Sequence, residues 1–248
     1  MTTLQHDPRF LIPGWAFGPE SVRPLATQLG AELLSVPGLC EPVAWVGHVQ
    51  GISPWAAGLI ARLSVAPARV TIVGWSLGAM IALEAAMACP DRIGRLVLVA
   101  GTARFVADAE DVPGVPERNV RAMIAGLKRN RAATLQRFYQ DCYRPVDLLE
   151  VSGMRLEQLS QDWPDEALRT GLEYLRHADL RPGLGALNVP VLLIHGNEDA
   201  VIPIAAGEAL ARTLPRAELC MLPNAGHALP VLDPDRVVGA ALPFLERT

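Results

Sequence analysis

The chain has 248 residues, half of them hydrophobic, which is enough for one well-buried core and an inserted subdomain. A formal net charge of -4 gives no general attraction to nucleic acid or to an anionic membrane surface, and so argues against a polyanion binder. Cys40, Cys89, Cys142 and Cys220 are far apart and lack metal-ligand spacing, so neither a zinc site nor a disulfide framework is expected. The opening MTTLQHDPRFLIPGW lacks the layout of a signal peptide, and no apolar run approaches bilayer length, so a soluble cytoplasmic protein is the expectation.

In chain order, Arg9 to Ile12 reads as a short strand, and the turn PGWAFGPES opens a helix from about Pro19 to Leu29. Glu32 to Val36 reads as a second strand. A helix near Trp55 to Leu63 follows, then the strand Arg69 to Val73, a helix from Leu77 to Ala88 stopped by Pro90, and the strand Leu96 to Ala100. The alternation resumes with the strand Val191 to Ile194, a helix near Ala205 to Thr213, the strand Glu218 to Leu222 and a helix from about Pro234 to Leu245. Short apolar strands alternating with helices predict βαβ units, hence an α/β fold with a mostly parallel sheet covered on both faces.

Between about Arg104 and Pro182 no strand pattern stands out. VRAMIAGLKRNRAATLQRFYQDCY and ALRTGLEYLRHA place apolar residues at helical spacing, so the segment reads as a helical insertion between two strands. The division is then a core of residues 1–103 and 183–248 with a helical cap of residues 104–182, set over the crevice where α/β proteins bind ligands.

VTIVGWSLGAM, from Val70 to Met80, holds G-x-S-x-G at the change from strand to helix pattern. That arrangement is a nucleophile elbow, in which a strained turn lifts a serine hydroxyl at the sheet edge and the following helix N-terminus favours developing negative charge. Glycine and serine are also common in ordinary βα turns. A serine hydroxyl attacks an ester only with a base and an orienting acid beside it. Asp199 follows the strand VLLIHG and His227 follows the strand ELCMLP, in the order serine, acid, histidine. Taken singly, Asp199 could be a turn residue, Glu198 competes with it for the acid role, and His227 could be a surface histidine. His6, His48, His177 and His195 have no comparable position. The conjunction selects Ser76, Asp199 and His227.

With GWSLG, HGNEDAVIP and AGHALP together, the chain resembles the α/β-hydrolases along its whole length. LQRFYQ and GLEYLRHADLRPGLGALNVPVLLIHGNEDAVIP are similar to the pimeloyl-acyl-carrier-protein methyl ester esterases of biotin synthesis. The resemblance implies hydrolysis of a methyl ester through an acyl-enzyme on Ser76, with no metal or organic cofactor. It implies an oxyanion hole from the backbone N–H groups of Leu77 and Trp15, and an acyl pocket lined by Trp15, Leu77 and Phe138.

Two departures from that family stand out. Pro13-Gly14-Trp15 replaces the usual His-Gly before the oxyanion residue, so the support of the loop should differ. The strand pair that often precedes the first strand is expected to be missing or reduced.

Arg118, Arg121, Lys128, Arg129, Arg131, Arg137 and Arg144 occur in one stretch against Asp141 as its single acid. An exposed basic helix face is the plain account. The resemblance implies an acidic carrier protein as partner, and Arg121, Lys128, Arg129, Arg131 and Arg137 are the candidate docking residues on an otherwise monomeric chain. A general carboxylesterase, a lactone or C–C hydrolase, and a hydrolase-fold receptor without turnover are the alternatives.

Overall fold

The computed structural model describes residues 7–40, 51–107, 113–147, 159–160 and 163–247. A six-stranded parallel sheet runs in the order β2-β1-β3-β4-β7-β8, with β1 at Arg9–Ile12, β2 at Glu32–Leu33, β3 at Val70–Trp75, β4 at Ile93–Val99, β7 at Val191–Gly196 and β8 at Ala217–Leu222. Every residue of β3 and of β7 is buried, as an apolar strand covered on both faces requires. The helices are α1 (Arg23–Leu29), α2 (Pro54–Val65), α3 (Leu77–Ala88), α7 (Ile204–Thr213), α8 (Leu229–Leu232) and α9 (Pro234–Leu245). α1 packs with α9 and α2 with α3. Apart from Glu84, α3 is made of small and apolar residues, and it is buried from Leu77 through Ala86, so it is a central helix rather than an amphipathic one.

The order of the sheet places the site. β1 pairs with β2 on one side and with β3 on the other, so the connections leaving its end and the end of β3 turn in opposite directions. The crevice of an open α/β sheet forms at such a reversal. Ile12 and Gly74 stand opposite each other there, one residue before Pro13 and two before Ser76.

Between β4 and β7 lie the helices α4 (Glu117–Arg129), α5 (Arg131–Tyr143) and α6 (Asp165–His177). The two ends of this segment meet: Arg104 and Asp179 form an antiparallel bridge and an ion pair at 3.4 Å, and Leu180 N–H donates to Ala103 O at 2.9 Å.

Some sequence expectations need correction. The second strand stops at Leu33, because after Leu34 donates to Leu11 O the chain enters the turn Pro37–Cys40. The inserted segment does contain strand, a two-residue parallel pair of β5 (Val106–Ala107) with β6 (Val115–Pro116). The long helical run through residues 120–143 is two helices. Asn130 adopts an extended backbone at φ -157 and its side chain accepts from Ala133 N–H at 3.0 Å, ending one helix and capping the next. Residues 19–22 form a 3₁₀ turn before α1.

Among the described residues no helix is long and apolar enough to cross a membrane. Cys89, Cys142 and Cys220 are free thiols.

A polar cluster ties the inserted helices to the core. Glu84, on α3 and 7% exposed, accepts from Ser53 N–H at 2.6 Å, Ser53 Oγ at 2.7 Å and Tyr174 Oη at 2.9 Å. Ser53 also caps α2 by accepting from Ala56 N–H at 3.2 Å. Burial, reinforced by the neighbouring Glu84, holds the Tyr174 hydroxyl well above its ordinary pKa, so it remains a donor. Ser53→Ala removes the cap and one donor to Glu84 together, and a loss of about 2 kcal/mol is expected in urea unfolding.

Candidate active site

Ser76 sits between β3 and α3 with φ 54 and ψ -113, a conformation that costs a non-glycine residue about 1–3 kcal/mol. The surrounding contacts enforce it. Ser76 N–H donates to Val99 O at 2.9 Å, and its carbonyl accepts from Ala79 and Met80 N–H at 3.0 and 3.2 Å. A Cβ on Gly74 would lie 2.6 Å from Gly78 O, and one on Gly78 would lie 2.3 Å from Ile12 O. Both glycines of the pentapeptide are therefore demanded by backbone approach.

His227 Nε2 is 3.0 Å from Ser76 Oγ, and His227 Nδ1 is 2.8 Å from Asp199 Oδ2. A carboxylate oxygen can only accept, so Nδ1 carries the proton and Nε2 presents its lone pair to the serine hydroxyl. The other Asp199 oxygen, Oδ1, accepts from the N–H groups of Val201 and Ile202, each at 2.8 Å. Burial is the strongest influence on Asp199 and opposes ionisation. The combined pull of His227 and His195 nevertheless holds the carboxyl below its ordinary range. The group is therefore a carboxylate at neutral pH. Glu198 is exposed and takes no part in this chain of bonds; its N–H donates to Ala225 O at 3.0 Å.

The loops carrying the acid and the base are locked together. A Cβ on Gly196 would lie 2.1 Å from Ala225 O. The His227 carbonyl accepts from the Trp75 indole at 2.9 Å, and Ala228 N–H donates to Cys142 O at the end of α5, also at 2.9 Å.

Leu77 is the first residue of α3, so its N–H has no partner within the helix, and a helix N-terminus favours negative charge beside Ser76. The loop after β1 lies across from it, where a Cβ on Gly14 would stand 3.3 Å from Ser76 Cβ. Such an arrangement can deprotonate a serine, store the proton on an imidazole and stabilise an oxyanion, which is the equipment of acyl transfer.

The family model described as alpha/beta hydrolase fold matches residues 61–234. A pimeloyl-[acyl-carrier protein] methyl ester esterase of Aromatoleum aromaticum is 33% identical over 229 residues, covering 88% of this chain and 90% of its own. The enzyme of that name from Methylococcus capsulatus is 39% identical over 186 residues, 67% of each chain, and that from Nitrosomonas europaea 36% over 169 residues, 65% of this chain and 66% of its own. The chain belongs to the α/β-hydrolase family, among its carboxylic ester hydrolases. The fold is likewise similar to that of the solved esterase EaEST from Exiguobacterium antarcticum, with a TM-score of 0.78 at 18% identity over 98% of this chain and 93% of that one.

In this hydrolase Trp15 and Leu77 are almost wholly buried, at 2% and 0% exposure. The Trp15 indole points into the inserted helices rather than outward, donating to Leu168 O at 2.8 Å. Phe138 is half-buried and meets Trp15 edge-on with ring centroids 4.8 Å apart.

The basic stretch is less free than its sequence implies. Arg121 pairs with Glu117 at 2.9 Å. Arg131 pairs with Asp165 at 3.0 Å and donates to the carbonyls of Ser160 and Trp163. Lys128, Arg129 and Arg137 are exposed and form no ion pair among the described residues.

Sequence reasoning passed over His195. The residue lies on β7 with no exposure, its Nε2 2.9 Å from Ile202 O and 3.4 Å from Asp199 Oδ2. The carbonyl can only accept, so Nε2 carries the proton and the ring adds a second positive dipole beside the Asp199 carboxylate. The position four residues before Asp199 is the signal in the sequence that could have found it. His177 is exposed at the end of α6, and His6 and His48 lie outside the described residues.

Gly196→Ala should drive the acid and base loops apart, with a loss of about 3 kcal/mol in thermal or urea unfolding. Gly239→Ala, at an exposed position of α9 with nothing within 4 Å of the new Cβ, should be neutral or stabilising by about 0.5 kcal/mol.

Proposed function

We propose that the protein is a serine esterase that hydrolyses the methyl ester of a pimeloyl chain carried on acyl-carrier protein, through an acyl-enzyme on Ser76, in biotin synthesis. The hydrogen-bonded series Ser76, His227, Asp199 at the reversal point of the sheet carries the serine mechanism. The names of the relatives carry the substrate.

Ser76 Oγ attacks the ester carbonyl while His227 Nε2 takes its proton. The tetrahedral oxyanion is held by the N–H groups of Leu77 and Trp15. Collapse expels methanol, which takes the proton from His227 and leaves the acyl group on Ser76. Water then attacks the acyl-enzyme with His227 again as base, releasing the free acid. Asp199 keeps the imidazole in the required tautomer and stabilises its charged form. Trp15, Leu77 and Phe138 form the apolar surroundings of the acyl chain, and residues 104–182 act as the cap over the site.

Lys128, Arg129 and Arg137 provide the docking charge for the carrier, with Arg121 and Lys128 flanking a groove of about 630 Å³ between α4 and α6 whose lining includes Ile124, Leu127 and Leu168. Arg131, engaged by Asp165 and two carbonyls, serves to hold the cap together. The commitment of Arg121 and Arg131 to internal pairs is the observation that favours the second reading, a general short-chain carboxylesterase that needs no carrier.

Ser76→Ala is expected to lower kcat on a p-nitrophenyl short-chain ester by about 10⁴-fold or more, and a wild type without turnover would remove the esterase reading. The carrier is tested by comparing pimeloyl methyl ester on and off acyl-carrier protein. At low salt, reversing Lys128, Arg129 and Arg137 to Glu should cut kcat/KM for the carried ester about tenfold and leave the free ester within about twofold. Equal rates with and without the carrier would decide for the general carboxylesterase.

A further inference from the structure

The loop from Gly14 to Gly18 is a tight turn closed by Phe17 N–H to Gly14 O at 3.2 Å, with Ala16 at φ 62. That backbone region suits glycine, and a residue with a Cβ stays in it only where neighbouring contacts over-determine the conformation. Here the contacts come from the inserted segment. The Trp15 indole donates to Leu168 O on α6 at 2.8 Å, Tyr139 Oη on α5 donates to Ala16 O at 2.7 Å, Trp163 Nε1 donates to Phe17 O at 3.1 Å, and Gly18 N–H donates to Leu159 O at 2.6 Å.

Packing repeats the pattern. Gly171 on α6 leaves the space that the Trp15 ring fills; a Cβ there would be 2.6 Å from Trp15 Cδ1. The Phe17 ring contacts Trp75, Phe138 and Tyr139 at centroid distances of 4.5, 6.2 and 5.2 Å. Four consecutive loop residues are thus each bonded to the insertion, on both sides of the strained Ala16.

We propose that Tyr139 and Trp163 are positioning residues for the reaction: by gripping the carbonyls of Ala16 and Phe17 they hold the Trp15 N–H at the oxyanion site, a support built from the inserted segment. The inference rests on the assignment of that N–H to the oxyanion hole above. A donor aimed at developing charge works only when fixed beforehand, because its reorientation during the reaction would consume the stabilisation it provides. Burial keeps the Tyr139 hydroxyl far above its ordinary pKa, so it donates throughout the working range of pH. The insertion is then part of the catalytic frame as well as a cover over the substrate.

The test compares Tyr139→Phe and Trp163→Phe with Tyr174→Phe, which cuts the bond from the same insertion to Glu84 and touches no loop residue. Three quantities are read: kcat and KM on a p-nitrophenyl ester, thermal midpoint, and affinity for a trifluoromethyl ketone. The ketone accepts Ser76 Oγ at its carbonyl carbon, His227 takes the hydroxyl proton, and the resulting oxyanion occupies the hole.

Tyr139→Phe is expected to lower kcat about tenfold with KM within about twofold, and to weaken the ketone by a similar factor. Trp163→Phe should do the same, and Tyr174→Phe should leave kcat and ketone affinity within about twofold even where its thermal midpoint falls as far. Unchanged kcat and ketone affinity in both loop-facing variants of an active enzyme, or an equal loss in Tyr174→Phe, would overturn the positioning role alone. A wild type that neither cleaves the ester nor binds the ketone overturns the serine mechanism, and this inference with it.

Discussion

The contact between Gly78 and the carbonyls of Ile12 and Pro13 is the constraint on which the rest of the site depends. It brings the first turn of α3 against the end of β1, and no side chain larger than hydrogen fits between them. From that approach follow the strained Ser76 backbone and the placing of the Gly14 loop beside Ser76. The strain is small against the cohesion of a helix buried through ten consecutive residues and a strand buried throughout. The elbow is thus a local cost carried by a large apolar frame.

Charge inside that frame is arranged with the same economy. Asp199 would be expensive as an isolated buried anion, yet one oxygen takes two backbone N–H groups and the other faces two imidazoles. Its ionisation therefore survives burial, and the imidazole it orients is fixed in the tautomer that leaves Nε2 open towards Ser76. His195 makes this arrangement sensitive to packing. Gly207 on α7 leaves the room its ring needs, a Cβ there falling 2.5 Å from His195 Nδ1, and Nδ1 itself is buried without a partner among the described residues.

The parts of this picture that were legible in the sequence are those encoded locally. Strand, turn and helix signals stand next to one another around Ser76, and Asp199 and His227 each follow a short strand, β7 buried throughout and β8 partly exposed at the sheet edge. What was illegible depended on pairing between distant segments. The basic stretch from Arg118 to Arg144 looks uncompensated because its partners Glu117 and Asp165 stand outside it, one residue before and 21 after. His195 reads as a strand residue until β7 and its loop fold back on Asp199. β2 is short for a reason of the same kind, since an edge strand with one neighbour loses its register as soon as the chain turns at Pro37.

The insertion shows where local reading and tertiary structure diverge most. Helical spacing identifies α4, α5 and α6 but says nothing of what their polar tips reach. Tyr139, Trp163 and the carbonyl of Leu168 all reach one loop of the core, and Tyr174 reaches Glu84 on α3, the helix that starts after Ser76. Cys142 O, at the end of α5, holds the residue after His227. The insertion is therefore bonded to the loop after β1, to the loop that carries His227 and, about two turns along α3 from Ser76, to Glu84. A cover that swung freely as a rigid lid would have to break all three sets of contacts at once.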